Sequence, residues 1–126
     1  MTHMQQMTKN ELGSWGETLA ATHLKEAGWT ILDRNWRTRG GELDIVGFDP
    51  SRNSIVAVEV KNRRTRFAGS PQESVTYAKV QRLRGLLLSW LVQRGSFAAA
   101  ITVDVIGIDV DSTGLHSISH VKDVLA

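Results

Sequence analysis

The chain contains no cysteine. That absence removes disulfide staples, thiolate nucleophiles and cysteine-ligated zinc or iron–sulfur centres together. It agrees with a reducing compartment and is equally compatible with export. No apolar run approaches the roughly 20 residues needed to cross a bilayer, and the stretch from Met1 to Lys9 is polar and does not read as a secretory signal. A cytoplasmic location without a membrane partner is the expectation. Repeats, linkers and low-complexity tracts are also lacking. The four histidines, His3, His23, His116 and His120, have no spacing that suits a metal. Gly40-Gly41 is not followed by the helix start and lysine of a phosphate-binding loop.

What is present fits one compact domain. A chain of 126 residues can bury a single core without staples, and 41% hydrophobic against 22% charged residues is the balance of a globular protein, not a disordered one. Residues 1–9 read as a flexible leader and 10–126 as the folded domain. The net charge of +2 conceals a segregation: Arg34 to Arg94 holds 12 Lys/Arg against 5 Asp/Glu, whereas beyond Arg94 a single lysine faces four aspartates. A basic middle segment is the footprint of a phosphate-backbone partner, although an ordinary solvated surface explains charge alone as well.

Apolar residues recur at helical spacing from about Asn10 to Ala27, through Leu12, Trp15, Leu19, Ala20, His23 and Leu24, and Gly28 stops the run. Thr30 to Trp36 and Glu42 to Phe48 read as strands, the second with Leu43 and Ile45 on one face. Ser54 to Lys61 is the strongest strand, rich in β-branched residues, after a turn at 49–53. Asn62 to Gln72 is a basic loop. Val75 to Arg94 predicts a second helix, Ala98 to Val110 a long strand broken or bulged near Gly107, and Leu115 to His120 a short edge strand. The pattern predicts an α/β domain in which helices pack on a mixed sheet.

Two strands hold the chemistry-bearing residues. Alternation puts Glu59 and Lys61 on one face of the third strand and Val58 and Val60 on the other. It likewise groups Glu42 with Asp44, opposite Leu43 and Ile45. If Asp44 and Glu59 face the same way across the hairpin, two carboxylates and an ammonium converge. Such oxygen donors suit Mg²⁺ or Mn²⁺, which need few protein ligands, and Lys61 could orient a water or stabilise charge at phosphorus. An exposed ion pair explains Glu59-x-Lys61 in isolation; Asp44 on the preceding strand and the basic loop that follows favour the metal site.

These fragments together resemble a known family. Gly16-Glu17-x-x-Ala20, Asn35-x-Arg37, Gly41-Glu42-Leu43-Asp44-Ile45-Val46, Val58-Glu59-Val60-Lys61-x-Arg63 and Val103-Asp104-Val105 are similar to the bacterial YraN family (uncharacterised protein family 0102), itself similar to archaeal Holliday-junction resolvases of the restriction-endonuclease-like PD-(D/E)XK superfamily. The resemblance implies a restriction-endonuclease-like core, a central mixed β-sheet flanked by helices in the order α-β-β-β-α-β. It implies that Asp44 and Glu59 bind the metal with the Val60 carbonyl, that Lys61 is catalytic, and that Glu17 on the first helix supports the metal. Glu17 falls at the margin of the apolar stripe, where a surface glutamate is an equal reading. Thr102 departs from the pattern, since such proteins often have arginine there. Glu42 is marked too, with pairing to Arg37 or Arg39 as its alternative.

Arg63, Arg64 and Arg66, with Lys79 and Arg82 on the second helix, are the expected phosphate contacts, and Lys79 is also marked by the resemblance. Gln81 more simply lies at the surface. Trp15 and Trp90 read as core, and Trp36 as core ahead of base stacking; Asp104 reads as structural or as a support behind the residues that hold the metal. The function expected is metal-dependent hydrolysis of DNA phosphodiesters, with branched or structured DNA as candidate substrate. A non-catalytic nucleic-acid-binding module and an accessory protein of a DNA-processing assembly are the alternatives, and homodimerisation is left open.

Overall fold

The computed structural model describes residues 7–64 and 75–124. Among the described residues seven elements follow one another: α1 (Lys9–Glu26), β1 (Thr30–Thr38), β2 (Gly41–Asp49), β3 (Ser54–Arg63), α2 (Tyr77–Arg94), β4 (Ile101–Val110) and β5 (His116–Val121). The strands form one sheet in the order β1-β2-β3-β4-β5. β3 and β4 pair in parallel across the α2 connection, and the other neighbours are antiparallel. This is the mixed α/β sheet expected, extended by β5 at the edge.

Local chemistry sets the helix ends. Thr8 accepts the Glu11 N–H while the Glu11 side chain accepts the Thr8 N–H, a reciprocal cap that satisfies two donors at the start of α1. Leu12, Gly16, Ala20 and Leu24, spaced by four, form its buried stripe. α2 starts two residues later than its apolar period suggests, because Thr76 caps it. Val75 before the cap and Val80 after it join the same core cluster, as in a hydrophobic staple. Gly95, left-handed at φ 62°, ends the helix.

The sheet separates two cores. On one face α2 supplies Val80, Leu83, Leu87 and Trp90 against Leu43, Val46, Ala57 and Val105. On the other, α1 supplies Ala20, Ala21 and Leu24 against Ile45, Val58, Val60, Ile106 and Ile108. The contact of α1 with β3 is tight: a Cβ on Gly16 would lie 1.6 Å from Asn62 Oδ1. Trp90 is buried as expected, whereas Trp15 is only partly so and packs at the margin, edge-on to His116.

Two strand expectations are corrected. Leu43 and Ile45 do not share a face: Leu43 packs under α2 and Ile45 under α1. On the neighbouring strand Asn35 adopts a left-handed backbone (φ 53°) at this point, while the register runs on unchanged from Arg34↔Ile45 to Trp36↔Leu43. β4 is also unbroken at Gly107, which pairs with Lys61 on one side and Ser119 on the other. The irregularity falls instead in β1, between Ile31 and Asp33.

The feature that positions the site is a fork. The β2–β3 ladder runs from Asp49↔Ser54 to Ile45↔Val58 and stops. Beyond it β2 continues against β1 alone, and β3 against β4 alone. Asp44 and Glu59, the next residue on each strand, stand where the two part.

Candidate metal and phosphate site

At the fork, the Val60 N–H donates to Asp44 Oδ2 at 2.9 Å. Past the end of the ladder, this N–H finds a side-chain oxygen where a strand would have offered a carbonyl. The bond orients the Asp44 carboxylate toward β3. Glu59 stands on the α2 side of the sheet, and its Oε1 accepts two ammonium groups: Lys61 Nζ at 3.4 Å and Lys79 Nζ, from the first turn of α2, at 3.0 Å. Glu59 and Lys61 therefore share the face that alternation assigns them, with Val58 and Val60 buried under α1. A cleft of about 240 Å³ is bordered by Glu42, Asp44, Glu59, Lys79 and Arg82 and floored by Leu83 and Leu86.

The electrostatics are those of a site short of positive charge at one carboxylate. Burial, then the charge of Glu59, pushes the Asp44 carboxyl up to about 7, against the lowering effect of the Val60 hydrogen bond; Glu17 and Glu42 add to the rise. Lys61 is lowered from its ordinary value by burial and by the neighbouring Lys79. Lys79 is raised: burial opposes its charge, but its contacts with Lys61 and Glu59 outweigh that.

The remaining expected residues are placed less uniformly. Glu17 is half-buried beside Lys9, Ser14, Asn35 and Arg37, and its charge reaches Asp44. Among the described residues, however, no three His, Asp or Glu side chains are grouped closely enough to hold an ion. The structure thus brings Asp44 and Glu59 together and leaves Glu17 outside that pair. Glu42 takes Arg37, Nε to Oε2 at 3.1 Å, both well exposed. Arg63 turns to Asp109 at 2.9 Å, and Arg64 donates to the Met7 carbonyl. Arg66 lies outside the described residues. Arg82 is exposed at the cleft, with no hydrogen bond or ion pair among the described residues.

Elsewhere the polar chemistry is structural. Asp104, fully buried, accepts two bonds from Arg52 (3.1 and 2.6 Å) and one from the Asp123 N–H (3.0 Å), with His120 Nε2 at 2.7 Å. Burial alone would raise its pKa, but the His120 and Arg52 bonds hold it below the usual range. Sequence reasoning took Asp104 as structural and missed its partners; 52 residues separate Arg52 from Asp104, and no local pattern joins them. Trp36 packs against the α2 core, and its indole N–H donates to Gln93 at 2.9 Å. The apolar depression beside it, of about 460 Å³, is bordered by Leu88, Val92 and Gln93 and presents no acid or base.

Comparison with known proteins gives the family. The model of "Uncharacterised protein family UPF0102" matches residues 16–108, the span from the Gly16 contact through the fork to β4. The chain belongs to uncharacterised protein family UPF0102. A UPF0102 protein of Mycobacterium sp. (strain KMS) is 42% identical over 121 residues, covering 96% of this chain and 90% of that protein. The UPF0102 protein of Mycobacterium avium (strain 104) is 42% identical over 124 residues, covering 98% and 97%. That of Mycobacterium tuberculosis (strain ATCC 25177 / H37Ra) is 44% identical over 110 residues, covering 87% and 86%. UPF0102 membership supplies no activity, so chemistry has to be argued from the cleft. No helix of the described residues is long and apolar enough to cross a membrane.

The donor set fits a hard divalent cation. Asp44 and Glu59 offer carboxylate oxygens, and Asp44 is buried beside a like charge, where a cation would relieve the repulsion. Mg²⁺ or Mn²⁺ takes one or two carboxylates and completes its shell with waters and phosphate oxygens.

Proposed function

We propose that the protein is a metal-dependent phosphodiesterase acting in the cytoplasm on nucleic acid, most simply DNA, with branched or structured DNA as the candidate substrate. The observation that carries this reading is the convergence of Asp44, Glu59 and Lys61 at the fork of β2 and β3, beside Lys79 and Arg82. Asp44 and Glu59 hold Mg²⁺ or Mn²⁺, with the Val60 carbonyl as an added donor and Glu17 supporting from α1. The cation would supply Lewis-acid polarisation of the phosphodiester. Lys61, with its pKa lowered, orients the attacking water and counters charge as it develops at phosphorus. Arg82 holds a flanking phosphate without reading sequence; Arg64 contributes once released from Met7, and Arg63 stays with Asp109.

The test is incubation of the purified chain with linear, flapped and four-way DNA in Mg²⁺ or Mn²⁺. Wild type should cleave at least one form. Lys61→Ala should lower the rate by a hundredfold or more while binding changes little, because the lost cation acts chiefly in the transition state. Wild type that binds DNA yet cuts none of the three substrates would replace this reading with the binding module. Wild type that neither binds nor cuts would leave the accessory-protein reading.

A further inference from the structure

Lys79 occupies a place that its own helix does not favour. It is the third residue past the Thr76 cap, whose hydroxyl accepts its N–H at 3.2 Å. A cation there meets the positive end of the helix macrodipole, and the first turn of α2 has no acidic residue to offset it. The explanation lies across the cleft. Lys79 Nζ is 3.0 Å from Glu59 Oε1, closer than the Lys61 ammonium at 3.4 Å. Asp44 borders the same cleft.

We propose that the Lys79 ammonium occupies, in the metal-free protein, the position on Glu59 that a divalent cation takes, and that cation binding displaces it to the mouth of the cleft to receive a phosphate. This rests on the acid pair being a cation site. A dication approaching Glu59 meets two ammonium groups already on that carboxylate, and Coulomb repulsion at such distances is too large for all three to share it. Lys61 is fixed to the strand that bears Glu59; Lys79 reaches in from another element on a flexible four-carbon stem. Arg82 follows at i+3 on the same face of α2, so the displaced ammonium ends beside an exposed guanidinium. Lys79 and Arg82 then form a two-cation seat for one backbone phosphate. Cation and nucleic acid thereby favour each other's binding, and linkage makes the effect reciprocal.

Mn²⁺ titration of the full chain by calorimetry, with wild type, Lys79→Gln and Lys25→Gln, tests the displacement. Lys79→Gln should bind Mn²⁺ about tenfold tighter than wild type, a coupling of the size one competing charge supplies. Lys25→Gln, which removes a positive charge from an exposed position at the far end of α1, should keep wild-type affinity. In wild type, acylation of Lys79 by an amine-reactive reagent, read by mass spectrometry, should rise several-fold when Mn²⁺ saturates the site. Wild type that binds Mn²⁺ with Lys79→Gln no tighter, or with Lys79 labelling unchanged or reduced, overturns the displacement and leaves the cation site standing. If neither wild type nor Lys79→Gln binds Mn²⁺, the cation site falls and the displacement with it.

Discussion

Asp44 is where the sequence motif and the folding energetics conflict. Burial, then the charge of Glu59, pushes its carboxyl up to about 7 from an ordinary value of 3.8. Between those values the native protein keeps a proton that the unfolded chain has released, so stability falls as pH rises through this window. The loss is complete above about pH 7 and absent below about pH 4. Asp44→Asn should therefore be more stable than wild type at pH 8 in chelator, with the gap closing as pH falls toward 4. Mn²⁺ should reverse the order at pH 8, since it stabilises only a native state that retains the ligand. Thermal melts of both proteins across that pH range, with and without Mn²⁺, check both statements; a gap independent of pH would remove Asp44 from the pair.

At the scale of elements, the fork depends on how closely α1 lies on β3. Gly16 makes room for Asn62, one residue past Lys61. Gly16→Ala should cost about 1–3 kcal/mol by overpacking, and Asn62→Ala should restore much of it in the double mutant. A double-mutant cycle by denaturant unfolding reads the coupling; additive effects would mean that α1 shifts freely and does not fix Glu17. Much of this architecture was legible. Apolar period located both helices, with Gly28 as the stop of the first, and β-branched density located β3, because those signals are local. The facing of Leu43 was not legible: alternation assumes a regular strand, and the change of face between Leu43 and Ile45 falls beside the left-handed Asn35 of the neighbouring strand. The shared face of Glu59 and Lys61 was legible from strand parity; parity did not hold on β2, so the side on which Asp44 lies was not. The Lys79 contact with Glu59 was not readable as geometry, because it depends on where α2 lands across the sheet. Similarly, the basic loop drew attention to Arg63, and only the parallel β3–β4 pairing, Arg63↔Asp109, shows where its guanidinium goes.

For the molecule as a whole, the segregation of charge becomes a question of which cations are available to a polyanion. The basic middle segment supplies Lys61, Lys79 and Arg82 to one cleft, but Arg52 is committed to Asp49 and Asp104, Arg94 to Asp33 and Arg63 to Asp109. The Asp33 anchor also takes the Trp90 indole N–H at 2.9 Å, so Arg94 fastens α2 to β1. Formal charge therefore overstates the number of phosphates the protein can neutralise. Each phosphate contact on duplex DNA contributes roughly −0.9 to the slope of log affinity against log salt. Arg82→Gln, which removes an uncommitted guanidinium, should weaken binding alike on all sequences and reduce the magnitude of the slope by about 1. Arg63→Gln should leave the slope close to wild type and instead lower the melting temperature, because Asp109 loses its partner. Affinities in chelator at four or more salt concentrations, for the three proteins on one duplex, separate these outcomes. A slope flattened as much by Arg63→Gln as by Arg82→Gln would show that Arg63 leaves Asp109 for phosphate, and would move the nucleic-acid path from the α2 side of the cleft toward the end of β3.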